Sequence, residues 1–366
     1  MKVGVLGGGQ LGRMLALAGY RLGIQFRFFD PNSGAPVGQL GELIAAPYDD
    51  EAALARFCDG LDVATFEFEN VPLDAARFVA DRVKLYPPIA ALEVAQHRLR
   101  EKQFFTALGI PTPRYAAADS LEQLVRALDS TGVPAVIKTV TMGYDGKGQV
   151  TVRDRNAAAS AWELMGKRPA IVEERVAFDR ELSMIGVRDT DGREVYYPLI
   201  ENEHREGILR VSRAPVHDVS LQLRAAAEDY VRRILQTLDY IGVVAVEFFQ
   251  RGSELLVNEM APRVHNSGHW TIEGARTSQF ENHLRAILSL PLGEADAAGE
   301  AAMVNLIGEI PPLAELLSIQ GAHVHLYGKA PTERRKVGHL TLVDESARNV
   351  GALAETLRRA FGGDKP

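Results

Sequence analysis

Short apolar runs alternate with helical stretches in the first third of the chain. Val3–Leu6, Phe26–Phe29 and Val63–Phe68 read as buried strands, since each is a short apolar run bounded by turn residues. Strands alternating with helices predict a parallel, doubly wound sheet. The pattern breaks near Pro87-Pro88. His97–Leu108 then carries apolar and polar residues at helical spacing and stops at Gly109 and Pro111. Leu121–Leu128 predicts a short helix. Ala135–Lys138 and Gln149–Val152 predict strands on either side of a glycine-rich turn. From Ala170 onward strands dominate: Ala170–Val176, Leu182–Val187, Val195–Glu201, Ile208–Arg213, Val243–Phe249 and Leu255–Glu259. Gln250-Arg-Gly-Ser253 joins the last two as a hairpin. Leu223, Ala227, Tyr230, Val231, Ile234, Leu235 and Leu238 form one face of a helix. Strands with one covering helix predict an antiparallel α+β unit. Gly293–Ala302, rich in Ala and Glu, reads as a linker into a smaller final unit.

Composition narrows the function classes. The chain has 366 residues, and domains run to roughly 100–200 residues each, so several are expected. Hydrophobic residues at 46% and charged residues at 24% are ordinary for a soluble protein. The net charge of -7 argues against a general nucleic-acid binder, which needs a basic surface. The single cysteine, Cys58, allows no intramolecular disulfide and fits a reducing compartment. The N-terminus leads straight into a strand-turn-helix pattern with no leader-like segment, and no apolar run approaches the ~20 residues that span a bilayer. A cytoplasmic location is the expectation.

The candidate chemistry starts at Lys2-Val-Gly-Val-Leu-Gly-Gly-Gly-Gln-Leu-Gly-Arg-Met14. Gly7, Gly9 and Gly12 fit G-x-G-x-x-G after a strand, and Asp30 ends the next one. A dinucleotide site with Asp30 on a ribose fits this run. So does a tight strand-to-helix turn, with Asp30-Pro31 opening another turn. A second glycine cluster, Lys138-Thr-Val-Thr-Met-Gly-Tyr-Asp-Gly-Lys-Gly-Gln149, can fold over a polyphosphate, with Lys138 and Lys147 as cations; the alternative is a plain hairpin. Glu247 and Glu259 stand inside apolar strands, where a carboxylate is costly unless paired or metal-bound. On the two arms of one hairpin they can face each other. With Asn258 they suit Mg²⁺, though arginine-paired rim carboxylates read the same way. Ala261-Pro-Arg-Val-His-Asn-Ser-Gly-His-Trp-Thr271 crowds Arg263, His265, Asn266, Ser267 and His269 together, which suits anionic or sugar groups. No cysteine or further ligand completes a zinc pattern around its histidines. Lys329, Arg334, Arg335 and Lys336 form a basic run that can take a phosphate or lie on the surface.

Taken in order, these motifs resemble the ATP-grasp superfamily, and within it the N5-carboxyaminoimidazole ribonucleotide synthetase family of purine biosynthesis. The resemblance runs from residue 1 to about Leu342. Gly9-Gln-Leu-Gly-Arg-Met14, Gly143-Tyr-Asp-Gly146, Arg263-Val-His-Asn-Ser-Gly-His-Trp270 and Arg335-Lys-Val-Gly-His-Leu340 carry it. It implies a Rossmann-like domain at 1–95, a lid at 96–172, an antiparallel α+β core at 173–293 and a C-terminal unit packed on the core at 294–366. It also implies a homodimer.

The resemblance assigns sites as well. Glu173, Glu174, Arg175 and Val176 are expected around the adenine and Glu181 on the ATP ribose. Arg98, Lys138, His204 and Gly143, Tyr144, Asp145, Gly146, Lys147, Gly148 and Gln149 are expected around the nucleotide and its phosphates, with Glu247 and Glu259 on Mg²⁺ and Asn258 beside them. Gln10, Leu11, Glu67, Asn266, Lys329, Arg335 and Lys336 are expected at 5-aminoimidazole ribonucleotide, the last three at its phosphate. Arg263 stands where relatives meet bicarbonate, and Tyr144, Asp145, Lys147 and His265 join it as catalytic candidates. Lys147 replaces an arginine common in the family. It keeps the charge and lacks the planar fork.

The implied reaction is ATP- and bicarbonate-dependent carboxylation of the ribonucleotide through carboxyphosphate. The rivals are a sister ATP-grasp ligase such as formate-dependent glycinamide ribonucleotide transformylase, an NAD-dependent dehydrogenase built on the first loop, and a non-enzymatic nucleotide sensor.

Overall fold

The structure is a computed structural model and describes residues 1–142 and 148–361. Among the described residues the strands form three sheets. The first is parallel. Its strands β1 (Lys2–Leu6), β2 (Gln25–Phe29), β3 (Glu42–Ile44) and β4 (Val63–Phe66) lie in the order β3-β2-β1-β4. Val3, Val5 and Leu6 are fully buried, as a central parallel strand covered on both faces requires. β4 stops at Phe66, short of the expected Phe68. β3 has only three residues and begins with Glu42, so no apolar run announces it.

The second sheet is small and antiparallel. β5 (Tyr115–Ala118), β6 (Ala135–Thr139), β7 (Gln149–Val152) and β8 (Ala170–Glu174) lie in the order β5-β8-β6-β7. A helix, Leu121–Thr131, covers it with Leu124, Ala127 and Leu128 buried. Ser120 caps that helix by accepting the Gln123 N–H at 3.3 Å. Lys138 pairs with Gln149 in register, so the glycine-rich turn leaves and re-enters the sheet beside Lys138. Gly143, Tyr144, Asp145, Gly146 and Lys147, all expected in the site, lie outside the described residues. β8 carries the small sheet to Glu174, past the division expected at 172.

The third sheet is antiparallel and has nine strands among the described residues. They are β9 (Arg180–Arg188), β10 (Glu194–Tyr196), β11 (Ile200–Arg205), β12 (Ile208–Ala214), β13 (Gly242–Arg251), β14 (Glu254–Ala261), β15 (Glu300–Ile307), β16 (Ala322–Leu326) and β17 (Lys336–Asp344). The order is β14-β13-β9-β11-β12-β15-β17-β16, with β10 on β9. The helix Leu221–Thr237 buries Leu223, Ala227, Val231, Ile234 and Leu235, on the face its spacing predicts. Full burial of each large aliphatic contributes about 1.5–3 kcal/mol.

Two expectations change here. Val195–Glu201 is not one strand. Pro198 has no N–H for a ladder, and the segment divides into β10 and β11 around it. Nor is the end of Gly293–Ala302 a linker. Glu300–Ala302 open β15, which is inserted between β12 and β17. The alanines that suggested a linker are small residues buried in the middle of the sheet, where Ala301 and Ala302 are at most 2% exposed. The final segment therefore extends the core sheet. The helix Ala347–Phe361 covers that extension with Val350, Ala354 and Leu357 buried.

Candidate active site

The first glycine loop is filled by the chain's own carboxylates. Gly7 turns the chain out of β1 at φ 107, a conformation glycine adopts without strain. Glu67, directly after β4, accepts the N–H groups of Gly9 at 2.8 Å, Leu11 at 3.1 Å and Gly12 at 3.2 Å. Asp30 accepts Gly8 N–H at 2.8 Å and Asn32 N–H at 2.8 Å. A Cβ at Gly9 would stand 2.6 Å from Glu67 Oε1. The donors that would hold a pyrophosphate at this helix N-terminus therefore already hold Glu67. This overturns the dehydrogenase reading of the loop, and Asp30 serves two turns rather than a ribose. Burial pushes the Glu67 carboxyl up, and the Gly9 and Gly12 N–H groups oppose the shift.

On the same side, Lys329 donates to the Gln10 side chain, joining residues from opposite ends of the chain. Leu11 is buried. Arg263 pairs with Glu69, a residue whose role sequence reading missed. Asn266 and Asn305 exchange side-chain hydrogen bonds at 3.1 and 2.8 Å. Arg335 donates to Ala330 O at 3.3 Å. Lys336 opens β17 opposite Ile307, and its charge acts on Glu247, His204 and His265. Arg334 instead turns to Glu206 in the β11–β12 connection, at 2.5 Å.

The second group lies between the small sheet and the core. Lys138 on β6 meets Glu173 on β8 at 3.2 Å. Arg98 donates to Thr139 O at 2.7 Å. Glu174 pairs with Arg114 at 2.5 Å, and the Arg175 N–H donates to Pro134 O at 3.0 Å. Val176 follows β8 and is half-buried, and Gly148 re-enters β7 at φ 70. Glu181 holds His204 Nδ1 at 2.9 Å. Burial works against charge on His204, but the Glu181 hydrogen bond and the charges of Glu247 and Glu181 outweigh it and raise its pKa.

Sequence reading also missed Glu101 and Lys102, on the helix Arg98–Ala107. Lys102 is 1% exposed and donates to Asn258 O at 2.5 Å, with Glu173 at 3.5 Å. Burial opposes charge on Glu173, but Lys102 and Lys138 win and hold its carboxyl below the ordinary range. Glu101 accepts Met260 N–H at 2.8 Å. Burial, then neighbouring Glu259, pushes its carboxyl up to about 8. One signal was available: Arg98 and Lys102 are four residues apart and share a helix face.

Glu247 and Glu259 sit directly opposite each other on β13 and β14. The register shifts between Glu247 and Phe248, which leaves Asn258 as the extra residue of a bulge. A bulge re-aims its side chain, and Asn258 Oδ1 is buried without a hydrogen-bond partner. Burial pushes Glu247 up to about 7; His204 pulls it down and Glu259 pushes it further up. Two opposed carboxylates and an orphaned amide oxygen are a donor set that fits a hard cation. Among the described residues no group of three or more His, Cys, Asp or Glu side chains is placed to hold a metal. A cation here needs oxygens from a phosphate as well, as Mg²⁺ commonly takes them.

Comparison with known proteins matches each part of this architecture. Residues 1–96 match a ribonucleotide synthetase preATP-grasp domain, 103–280 an ATP-grasp domain and 301–352 a phosphoribosylaminoimidazole carboxylase C-terminal domain. An N5-carboxyaminoimidazole ribonucleotide synthase of Pseudomonas aeruginosa is 50% identical over 93% of this chain and 94% of its own. The crystal structure of N5-carboxyaminoimidazole ribonucleotide synthetase from Thermus thermophilus covers 98% of both chains at 54% identity and a TM-score of 0.94. That of the Aspergillus clavatus synthase, in complex with ADP and 5-aminoimidazole ribonucleotide, covers 97% of both at 32% identity and a TM-score of 0.90. With the same three segments in the same order and near end-to-end likeness, the chain belongs to the N5-carboxyaminoimidazole ribonucleotide synthase family of ATP-grasp enzymes.

Proposed function

We propose that this enzyme carboxylates 5-aminoimidazole ribonucleotide to its N5-carboxy form, using ATP and bicarbonate through carboxyphosphate. The carrying observation is the convergence of two unlike sites. A carboxylate pair beside Lys138 and Glu173 suits a magnesium nucleotide. The Lys329–Gln10 contact beside the first loop suits a phosphorylated sugar. Arg263 and His265 stand in the run that follows β14, between them.

In the first stage a bicarbonate oxygen attacks the γ-phosphorus of ATP and ADP leaves. Lys138 and the amides of the second glycine loop stabilise charge on the transferring group. Glu247, Glu259 and Asn258 would hold Mg²⁺, which supplies charge neutralisation at the phosphates when bound. Glu173–Val176 and Glu181 would take the adenosine, and Arg98 and His204 would complete the nucleotide side. In the second stage the exocyclic amine attacks the carboxyl carbon, the bond from that carbon to the phosphate oxygen breaks, and the departing phosphate carries off the amine proton. Arg263 and His265, with Tyr144, Asp145 and Lys147, orient that stage; Gln10, Leu11, Glu67, Asn266, Lys329, Arg335 and Lys336 hold the ribonucleotide. Closure by residues 96–172 over 173–293 excludes water from carboxyphosphate. Residues 1–95 and 294–366 supply the ribonucleotide wall. The lone cysteine and the absence of a long apolar helix among the described residues support a cytoplasmic location.

The test is ADP release by purified protein with ATP, Mg²⁺ and bicarbonate. Adding the ribonucleotide should raise turnover; formate in place of bicarbonate should not support it. Turnover indifferent to the ribonucleotide removes the proposal, and turnover with formate hands it to the sister ligase. The homodimer is also proposed. Leu17, Leu313 and Leu317 are exposed around a groove of about 390 Å³ between the helices Gln10–Tyr20 and Leu313–Leu317 and β16. Sedimentation equilibrium should give twice the chain mass, and a monomer at micromolar concentration rejects it.

A further inference from the structure

A buried row of side chains crosses the active face of the core sheet and ends on His265. Ser212 on β12 donates to Asn202 Oδ1 on β11 at 2.7 Å. Asn202 Nδ2 donates to Ser183 on β9 at 2.8 Å. Ser183 donates to Ser267 at 3.0 Å. Ser267 Oγ lies 2.9 Å from His265 Nδ1. Ser183, Ser212 and Ser267 are fully buried, and Asn202 is 5% exposed. The substrate reading assigns these four residues nothing.

Their hydrogens run in one direction. An amide NH₂ only donates, so Ser183 accepts from Asn202 and gives its single hydrogen to Ser267. Ser267 must then give its own to His265 Nδ1. A second, longer contact points the same way: the backbone N–H of Ser267 lies 3.3 Å from Nδ1, and a backbone N–H cannot accept. Nδ1 is therefore an acceptor twice over and carries no hydrogen. A ring in that state keeps its hydrogen on Nε2. Nε2 is the nitrogen turned to the reaction chamber, 3.5 Å from Glu247 Oε1. Gln279 clamps the His265 backbone on both sides, accepting its N–H at 2.9 Å and donating to its carbonyl at 2.6 Å, so the ring's base is held as well.

We propose that Ser212, Asn202, Ser183 and Ser267 are positioning residues that lock His265 as the Nε2–H tautomer. In that form His265 donates a hydrogen bond to an anionic oxygen at the reaction centre and does not receive the proton of the attacking amine. The role at the reaction centre rests on the carboxylation reading; the lock itself does not.

The experiment is nitrogen NMR of the full chain with labelled histidine, the His265 signals assigned through His265→Gln. At neutral pH in the free protein, Nδ1 should resonate as an unprotonated nitrogen and Nε2 as a protonated one. A hydrogen on Nδ1, or a doubly protonated ring, overturns the lock. In Ser267→Ala one donor to Nδ1 is gone. Only the longer 3.3 Å backbone donor is left, so the Nε2–H form should lose population and kcat for carboxylation should fall about 10- to 100-fold, the range found when an outer partner that orients a metal-bound histidine is removed, with KM for ATP unchanged. An unchanged kcat, or a loss confined to KM for ATP, overturns the positioning role. Ser183→Ala, one step further along the row, should show the same change in smaller measure. The wild-type spectrum decides the lock without turnover, so failure of the ribonucleotide assay would remove the reaction and leave the tautomer standing.

Discussion

Glu259→Gln should reduce kcat for ATP turnover by at least about a hundredfold, since it removes one of the two opposed carboxylates proposed to hold Mg²⁺ at the transferring phosphoryl group. The fold should survive, because Glu259 lies on the exposed side of β14. A thermal-shift measurement adds a readout apart from turnover. Folding raises the Glu247 carboxyl to about 7. The folded protein then binds more protons than the unfolded chain between the ordinary carboxyl pKa and that value. The stability Glu247 contributes is present at low pH and declines as pH rises through this window. A divalent cation offsets that decline most where both carboxylates are ionised. Millimolar Mg²⁺ should therefore raise Tm more near about pH 8 than near about pH 5.5, and Glu259→Gln should lose most of the gain. Near-normal turnover in the variant, or a pH-independent gain, removes the metal assignment.

Glu173→Ala should be the most destabilising single change around the nucleotide. It leaves the Lys102 ammonium, 1% exposed, with carbonyl oxygens and without its ion-pair partner, only the charges of Glu101 and Glu259 acting on it besides. Breaking a buried pair from one side costs about 3–5 kcal/mol. Lys138 is more accessible and can rehydrate. Adding Lys102→Met should restore most of the loss, since a thioether fills similar volume without a charge to bury. Denaturant melts of the two single variants and the double variant, without nucleotide, give the coupling. A double variant as unstable as Glu173→Ala would show that the cost lies elsewhere than in the stranded ammonium.

Local patterns in the sequence exposed some of this and concealed the rest for physical reasons. Glu247 and Glu259 stood out because a charge inside an apolar strand needs a reason, and the short hairpin between them set them opposite each other. The bulge at Asn258 left no such mark, because a bulge is one residue of register. The first glycine loop was ambiguous because its ligand is Glu67, far along the chain, and spacing within the loop carries no trace of it. Lys102 passed as one more polar position on a helix, although its spacing from Arg98 offered a hint. β15 was hidden by its alanines, which serve equally in a linker and in the middle of a crowded sheet. The Ser–Asn–Ser–Ser row belongs to four separate segments and exists only once the sheet has set their register.

The contact between Gln10 and Lys329 also bears on how the enzyme is made. A ribosome adds roughly 5–20 residues each second, and early domains fold while later ones are still unmade. The parallel sheet, complete at Phe66, can thus be made roughly ten to fifty seconds before Lys329 is added, and the ATP-grasp segment, which ends at residue 280, roughly two to ten seconds before. During that interval the nascent chain holds Glu247 and Glu259 and lacks Lys329, the partner of Gln10. Only the last strands, added to the sheet beyond β12, close the contact that ties the first glycine loop to the C-terminal segment.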